Sequence, residues 1–325
     1  MKTLQKLKVI YTDLYLKWQL GDGDGSHPTN PVRAELATQM LTEKYGEDVV
    51  VVDPIDPAKE GSDMDALRET HDEKFIEEVL AGRSGEWTGT KPELGQTALA
   101  MFKGTIRAVE AILSGVKVVF NPQGAKHHAK YDRSSGFCVF NDMTYAALAL
   151  QAKGLRPLYI DWDIHAGDGV AEMLSGTGIP RISIHGGNNF PYDRRYQVPF
   201  GECHDEADHC YNFNVGSFDG DEIFMECIDK AREIIEAYKP DVILLAAGAD
   251  GHTGLDNLSG TNTYTAVGFT YAAEMVAEMA IKHADGRVLI GGAGGYQPYK
   301  ETPETWALVV GTIFDRVREG VLAND

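Results

Sequence analysis

The run Tyr159-Ile160-Asp161-Trp162-Asp163-Ile164-His165-Ala166-Gly167-Asp168-Gly169 decides the architecture, because an apolar strand empties there into four groups able to bind metal or move protons. In open α/β sheets such strand ends form the ligand crevice, and the two-residue period places Asp161, Asp163 and His165 on one face of the extended chain. Three polar side chains on one face of a buried strand are costly without a shared partner. A divalent cation is the economical partner.

Outward from this run, strand-like apolar stretches recur at Lys8 to Tyr11, Val49 to Val52, Val116 to Asn121, Leu158 to Trp162, Arg181 to His185, Val242 to Ala247 and Val288 to Gly292. Between them, Val32 to Glu43, Asp65 to Leu80, Gly95 to Ser114, Asp142 to Lys153, Asp221 to Tyr238, Tyr264 to His283 and Pro303 to Arg318 carry apolar residues at three- and four-residue spacing. This alternation predicts an α/β fold: a mostly parallel, multi-stranded sheet with helices on both faces. The 325 residues read as one domain, 1–325, since no linker, repeat or low-complexity tract interrupts them.

Composition narrows the function. With 30 Lys+Arg against 49 Asp+Glu the net charge is -19, which disfavours nucleic acid and anionic membranes as partners. The N-terminal Met1 to Ile10 lacks the apolar core of a signal peptide, and no apolar run approaches the roughly 18 residues of a membrane span. A cytoplasmic enzyme is the expectation. Cys138, Cys203, Cys210 and Cys227 follow no disulfide framework and read as reduced thiols.

The unusual residues sit just past strands. His127 and His128 follow the strand ending near Asn121, Asp250 follows Val242 to Ala249, and Tyr296 follows Val288 to Gly292. Asp163, His165 and Asp250 make a three-ligand set that leaves a coordination position for water or substrate, as catalytic rather than structural sites do. Such a set suits Zn²⁺, and also accepts Fe²⁺, Co²⁺ or Mn²⁺. Singly these residues have blander readings: an Asp at a strand end is often a helix cap, and Gly248-Ala249-Asp250-Gly251 also reads as a plain turn.

The His127-His128 pair, which from the dipeptide alone reads as solvent-exposed, meets the need of amide hydrolysis for one imidazole to take a proton and one to hold charge. Asp161 and Asp168, unused by the metal, then orient those rings through Nδ1. Tyr296 ends a glycine run that permits close backbone approach, and its phenol can donate to a developing oxyanion. Arg33, near a helix start where its charge is unfavourable, hints at a buried role. The stretch from Cys203 to Cys210 has metal-binding composition but no common zinc spacing, and reads as a solvated loop.

These segments together resemble the histone deacetylase superfamily, which includes acetoin-utilisation deacetylases and acetylpolyamine amidohydrolases. The matching stretches are Ser26 to Arg33, Gly124 to Asp142, Asp161 to Gly169, Gly248 to Asp250 and Gly292 to Tyr296 with Trp306 beyond. The run Ser135 to Asp142 and the Asp-x-His-Ala-Gly-Asp-Gly variant look most like the bacterial acetoin-utilisation type. The resemblance implies a zinc-dependent amidohydrolase on the arginase/deacetylase fold, removing an acyl group from an amine. It implies Asp163, His165 and Asp250 as zinc ligands, and His128 as general base and acid, backed by Asp168. His127, backed by Asp161, would be the charge-stabilising partner, and Tyr296 would polarise the carbonyl. Phe137 and Phe190, with Gly136 and Leu258, would line an acyl-lysine tunnel, and Arg33 would stand by an internal acetate exit. A potassium or sodium site would use Asp161, Asp163, His165, Ser183 and Ile184.

Some positions depart from the eukaryotic pattern. Ala166 replaces a histidine that is not a ligand, Thr90 stands where an aspartate often grips substrate backbone, and Gly251 to Leu258 is longer than usual. The expected substrate is therefore an acetylated protein or a small acylated amine such as an acetylpolyamine. A dimanganese ureohydrolase shares the fold, but Gly167 and His252 occupy places where its extra carboxylates are expected. A silent acyl-ligand sensor would have no use for His127, His128 and Tyr296 together. Oligomeric state is not legible.

Overall fold

Eight strands run parallel in one sheet, and the two-residue period of the strands divides the core into two apolar layers. The computed structural model describes residues 5–21, 27–186, 190–193, 198–199, 204–253 and 262–324. In chain order the elements are β1 (Leu7–Ile10), α1 (Val32–Tyr45), β2 (Val49–Val52), α2 (Glu60–Thr70), α3 (Glu73–Leu80), α4 (Pro92–Leu113), β3 (Val118–Asn121), α5 (Asp142–Ala152), β4 (Pro157–Asp161) and α6 (Asp168–Met173). They continue with β5 (Arg181–Gly186), β6 (Tyr192–Asp193), β7 (Val198–Pro199), β8 (His204–Asp205), β9 (Cys210–Val215), α7 (Asp221–Tyr238), β10 (Val242–Ala246), α8 (Ala266–His283), β11 (Val288–Gly291) and α9 (Glu301–Asn324). Among the described residues no helix is long and apolar enough to cross a membrane.

The sheet order is β2-β1-β3-β11-β10-β4-β5-β9-β8, with only the short edge strand β8 antiparallel. The chain leaves β3, skips two places to β4, and fills the gap later with β10 and β11. That reversal is where a doubly wound sheet opens a crevice at its carboxyl end. The four strands that deliver the unusual residues, β3, β11, β10 and β4, are consecutive neighbours. At about 4.8 Å per strand their ends span roughly 15 Å, within reach of one ligand.

Alternation assigns side chains to the two layers. Leu158, Ile160 and Trp162 join Ile243, Leu245, Val288 and Ile290 in the layer against α7, α8 and α9. Tyr159, Val242, Leu244 and Leu289 face the opposite layer with Met143, Ala146 and Val170 of α5 and α6. Each fully buried aliphatic side chain contributes about 1.5–3 kcal/mol, so a register slip that moved polar Asp161 into the first layer is strongly opposed. Beyond the strand, Trp162 and Ile164 still point into the first layer, which keeps Asp161, Asp163 and His165 together on the other side.

The expected helix from Asp65 to Leu80 is in fact two. His71 is extended (φ −134°, ψ 158°), and Asp72 starts α3 by accepting the Phe75 N–H at 3.1 Å. The break buries the His71 ring, whose Nε2 accepts the Asn141 N–H at 2.8 Å while Nδ1 meets the Tyr131 carbonyl at 3.1 Å. The Cys203 to Cys210 stretch also departs from expectation. Cys203 lies outside the described residues, but His204–Asp205 form β8, Cys210 opens β9, and Asp208 is tied to Arg181, the Ser175 hydroxyl and the Gly176 N–H.

Candidate active site

The histidine loop begins at β3 and is held by buried polar groups. Asn121 accepts the Tyr15 hydroxyl and the Gln123 N–H and donates to Met101 and Thr105. Asp142, at the start of α5, accepts the N–H groups of Ala125 and Lys126 at 2.9 and 2.7 Å and the Thr105 hydroxyl at 2.6 Å. Asn141 caps α5 by accepting the Thr144 N–H and donates to the Ala129 carbonyl. The loop is thereby pinned on both sides of His127 and His128, and both rings are buried rather than exposed.

His127 Nδ1 donates to Asp161 Oδ2 at 2.7 Å, and that oxygen also accepts the Tyr159 hydroxyl at 2.6 Å. His128 Nδ1 donates to Asp168 Oδ1 at 2.7 Å, and Lys130 Nζ pairs with the other Asp168 oxygen at 2.6 Å. The two rings differ in ionisation. Burial opposes charge on His127, but Asp161 and Asp163 outweigh it and raise its pKa to about 9. Burial and the neighbouring His127 charge lower His128 to about 4 despite Asp168. One imidazole is thus held cationic and the other neutral.

Asp163, His165 and Asp250 are buried and offer one ligand atom each, all within 4.8 Å of one another. They are the one such group of three among the described residues. His165 Nδ1 lies 3.1 Å from Asp163 Oδ1 and 2.9 Å from Asp250 Oδ2. Backbone donors set the carboxylates: Gly294 N–H meets Asp163 Oδ2 at 2.6 Å, His165 N–H meets Asp163 Oδ1 at 3.0 Å, and Ile164 N–H meets Asp250 Oδ1 at 3.1 Å. Burial and the Asp163 charge raise Asp250 to about 6, while Asp163 is held low by His127 and His165 against its own burial. Two buried carboxylates this close oppose each other's ionisation. A divalent cation relieves this, so the hard oxygens and borderline imidazole fit such an ion.

Gly294 is required here: a Cβ would stand 2.5 Å from both Asp163 Oδ2 and Asp250 Oδ2. Gly136 is required by the neighbouring ring, since it has φ +55° and a Cβ would lie 2.4 Å from His128 Cδ2. Tyr296 packs edge-on against His165 and Phe137, both at 6.4 Å between centroids. Burial, with Asp250 and Asp163 nearby, keeps its phenol protonated and able to donate. Phe137 also meets His27 at 4.7 Å, and Phe190, 43% exposed at the mouth, meets His128 at 5.1 Å.

Arg33 is buried, donates from Nη1 to the Gly295 carbonyl, and lies 5.0 Å over the Trp306 ring. Ser183 and Ile184 are buried on β5, with Ser183 in register with Asp161. Thr90 is exposed ahead of α4. Leu258, and the lengthened stretch from Gly254 to Leu258, lie outside the described residues. Sequence reading missed Glu86, whose Oε2 accepts the N–H of Phe137 at 2.7 Å where that residue takes φ 64°. It also gave no role to Tyr159 or Lys130, which hold the two histidine-bound carboxylates. Tyr159 was visible two residues before Asp161 on the same face, but Glu86 and Lys130 carried no signal.

Known proteins share this arrangement of sequence. A family described as the histone deacetylase domain matches residues 27–313. Acetoin utilization protein AcuC of Bacillus subtilis (strain 168) is 29% identical over 305 residues, covering 87% of this chain and 76% of that protein. AcuC of Staphylococcus aureus (strain MRSA252) is 25% identical over 345 residues, covering 98% and 85%. Histone deacetylase 8 of Xenopus laevis is 30% identical over 226 residues, covering 66% of each. With a parallel α/β sheet of the arginase/deacetylase kind and a family match over most of its length, this chain belongs to the histone deacetylase family of hydrolases.

Proposed function

We propose that the protein is a zinc-dependent deacetylase that hydrolyses the N-acetyl amide of a lysine side chain, acting as one catalytic unit over residues 1–325. The observation that supports this most is geometric: two touching imidazoles, each bonded through Nδ1 to its own carboxylate, stand beside the buried Asp163–His165–Asp250 group. Zinc, held by those three side chains, supplies Lewis acidity that polarises the carbonyl and acidifies water.

The chain's own residues do the rest. Neutral His128 takes the proton of the attacking water at Nε2, with Asp168 holding Nδ1, and returns it to the amine as the C–N bond breaks. Cationic His127, locked by Asp161, stabilises the negative charge that grows on the tetrahedral carbon's oxygens. Tyr296 donates its O–H to the same oxyanion. Phe137, Phe190 and Gly136 would line the channel for the lysine methylenes, Leu258 being proposed for it on the family resemblance alone, and Arg33 would stand by the route of the released acetate. Asp161, Asp163, His165, Ser183 and Ile184 would hold a potassium or sodium ion, which would neutralise part of the buried carboxylate charge.

The test is a fluorogenic acetyl-lysine peptide assay with and without chelator, run beside acetylated polyamines and compared by kcat/KM. Chelator-sensitive hydrolysis of the peptide is expected. Turnover of polyamines alone would move the substrate to small amines, and no turnover of any acylated amine would overturn the reading.

A further inference from the structure

Glu86 is a half-buried acid on the connection from α3 to α4, and the acid-base chemistry does not use it. Its Oε2 accepts the Phe137 N–H at 2.7 Å. Burial raises its pKa and the Phe137 N–H opposes this, with no cation among its influences.

The acceptor meets the backbone where it is most constrained. Ser135 N–H bonds to the Cys138 carbonyl at 3.0 Å and Cys138 N–H to the Ser135 carbonyl at 2.9 Å, closing a two-residue turn on Gly136 (φ +55°) and Phe137 (φ +64°). Two left-handed central residues mark a type I′ turn, whose usual occupants are Gly, Asn and Asp. Gly136 meets that demand at no steric cost, but a left-handed Phe brings its Cβ against the following carbonyl. Neither turn bond uses the Phe137 N–H. Glu86 takes it, and this charge-assisted bond opposes relaxation of the disfavoured residue.

The same connection grips the turn at a second point. Ser84 Oγ lies 2.8 Å from Ser134 Oγ and accepts the Glu86 N–H at 3.3 Å. Next along, buried Trp87 donates from Nε1 to the Gly82 carbonyl at 2.8 Å and meets Trp18 edge-on at 6.2 Å. Glu86 is therefore fixed to the core rather than carried by the turn. The two central residues in turn pack on different parts of the site. A Cβ on Gly136 would stand 2.4 Å from His128 Cδ2 and 3.1 Å from Phe190 Cε1, while the Phe137 ring meets His27 at 4.7 Å and Tyr296 at 6.4 Å. Any shift of this turn moves one wall of the site against the other.

We propose that Glu86 is a positioning residue that sets the width of the substrate channel by holding Phe137 in its left-handed conformation. This rests on the deacetylase reading and deepens it: the wall that receives the lysine methylenes is placed by an acid 51 positions upstream, acting through Phe137.

Steady-state kinetics on the acetyl-lysine peptide, with the zinc-loaded native chain, Glu86→Ala, Glu86→Gln, Phe137→Ala and the Glu86→Ala/Phe137→Ala double variant, test the role. Glu86→Ala is expected to raise KM by about 10-fold, as loss of a hydrogen bond to a charged group does, with kcat within about 2-fold of native. Glu86→Gln keeps an oxygen acceptor and should restore most of the affinity, and it covers the case that the alanine variant fails to fold. In the Phe137→Ala background Glu86→Ala should add nothing to KM, because the ring it positions is gone. Native KM in Glu86→Ala, with only Tm or the active fraction lowered, would overturn the role, as would an equal rise in KM in both backgrounds. The bond itself is read without turnover. In protein labelled with ¹⁵N-phenylalanine, the Phe137 amide proton, assigned by its loss in Phe137→Ala, should move upfield in Glu86→Ala. An unmoved resonance would overturn the hold on Phe137 whatever the kinetics. A native chain that hydrolyses no acylated amine would remove the deacetylase reading and the channel role with it, while the shifted resonance would leave the hold on the turn standing.

Discussion

His127 and His128 lie with ring centroids 4.0 Å apart, yet each donates from Nδ1 to its own carboxylate, Asp161 and Asp168, at 2.7 Å. Adjacent residues in one loop thus differ in charge: at His127 the carboxylates of Asp161 and Asp163 outweigh burial. At His128 burial and the neighbouring His127 charge outweigh the Asp168 carboxylate.

That asymmetry predicts unequal roles. His128→Ala should lower kcat by roughly 10²–10⁴-fold, the range for losing a positioned general base. Metal content, measured by mass spectrometry of the purified protein, should not change. Asp168→Asn should lower kcat as well, because the ring loses its carboxylate acceptor.

Tyr296→Phe removes one hydroxyl from a ring held by packing against His165 and Phe137. Turnover should fall by about 10²-fold or more, typical of losing an oxyanion donor. KM and metal content should stay close to those of the native protein. Native turnover in this variant would take the phenol out of the mechanism.

The metal centre is tested by Gly294→Ala. Its methyl group would meet Asp163 and Asp250 oxygens at 2.5 Å and displace the Gly294 N–H from Asp163. Bound metal per chain should drop well below one equivalent, with activity lost in parallel. Chelation of the native protein should lower Tm, since an ion that binds only the folded chain stabilises it by mass action. A chelated protein with unchanged Tm and activity would argue against any metal at this group.

Acid stability should depend on His71. Burial lowers its folded pKa to about 4 against an unfolded value near 6.5. A depressed histidine pKa means that the unfolded chain binds the proton more readily. The neutral ring's contribution is therefore complete above about pH 6.5 and is lost as pH falls toward 4, amounting to about 3 kcal/mol. Protonation would also take Nε2 away from the Asn141 N–H, loosening the cap of α5 and the Asp142 clasp on the histidine loop. The measurement is Tm between pH 4 and 7. His71→Leu should be less stable at pH 7 but lose less stability on acidification, and an equally steep profile would acquit His71.

Much of the frame was legible in the chain itself. The apolar runs β1, β2, β3, β4, β5, β10 and β11 stand out because their alternation with helical patterns leaves few ways to bury them. Asp163, His165, Asp250 and the two histidines stand out because polar groups past buried strands have no cheap alternative. Less visible were β9, whose Asn212 and Asn214 dilute the apolar pattern of an edge-side strand, and the break at His71. That break follows from a tertiary bond to Asn141, seventy positions away, which outweighs local helical spacing.

Periodicity and residue type alone thus specified a parallel α/β sheet and the cast of groups at its carboxyl edge. Residue type left open which acid serves which imidazole and with what charge; the family resemblance implied the pairing, and the tertiary structure brings it about. Those are questions of distances between segments remote in sequence. Asp161 reaches His127 across 34 positions and Asp168 reaches His128 across 40, and the strand order β3-β11-β10-β4 makes them neighbours. Ionisation in a low-dielectric interior depends steeply on such distances, so charge state is a property of the folded molecule rather than of any stretch of its sequence.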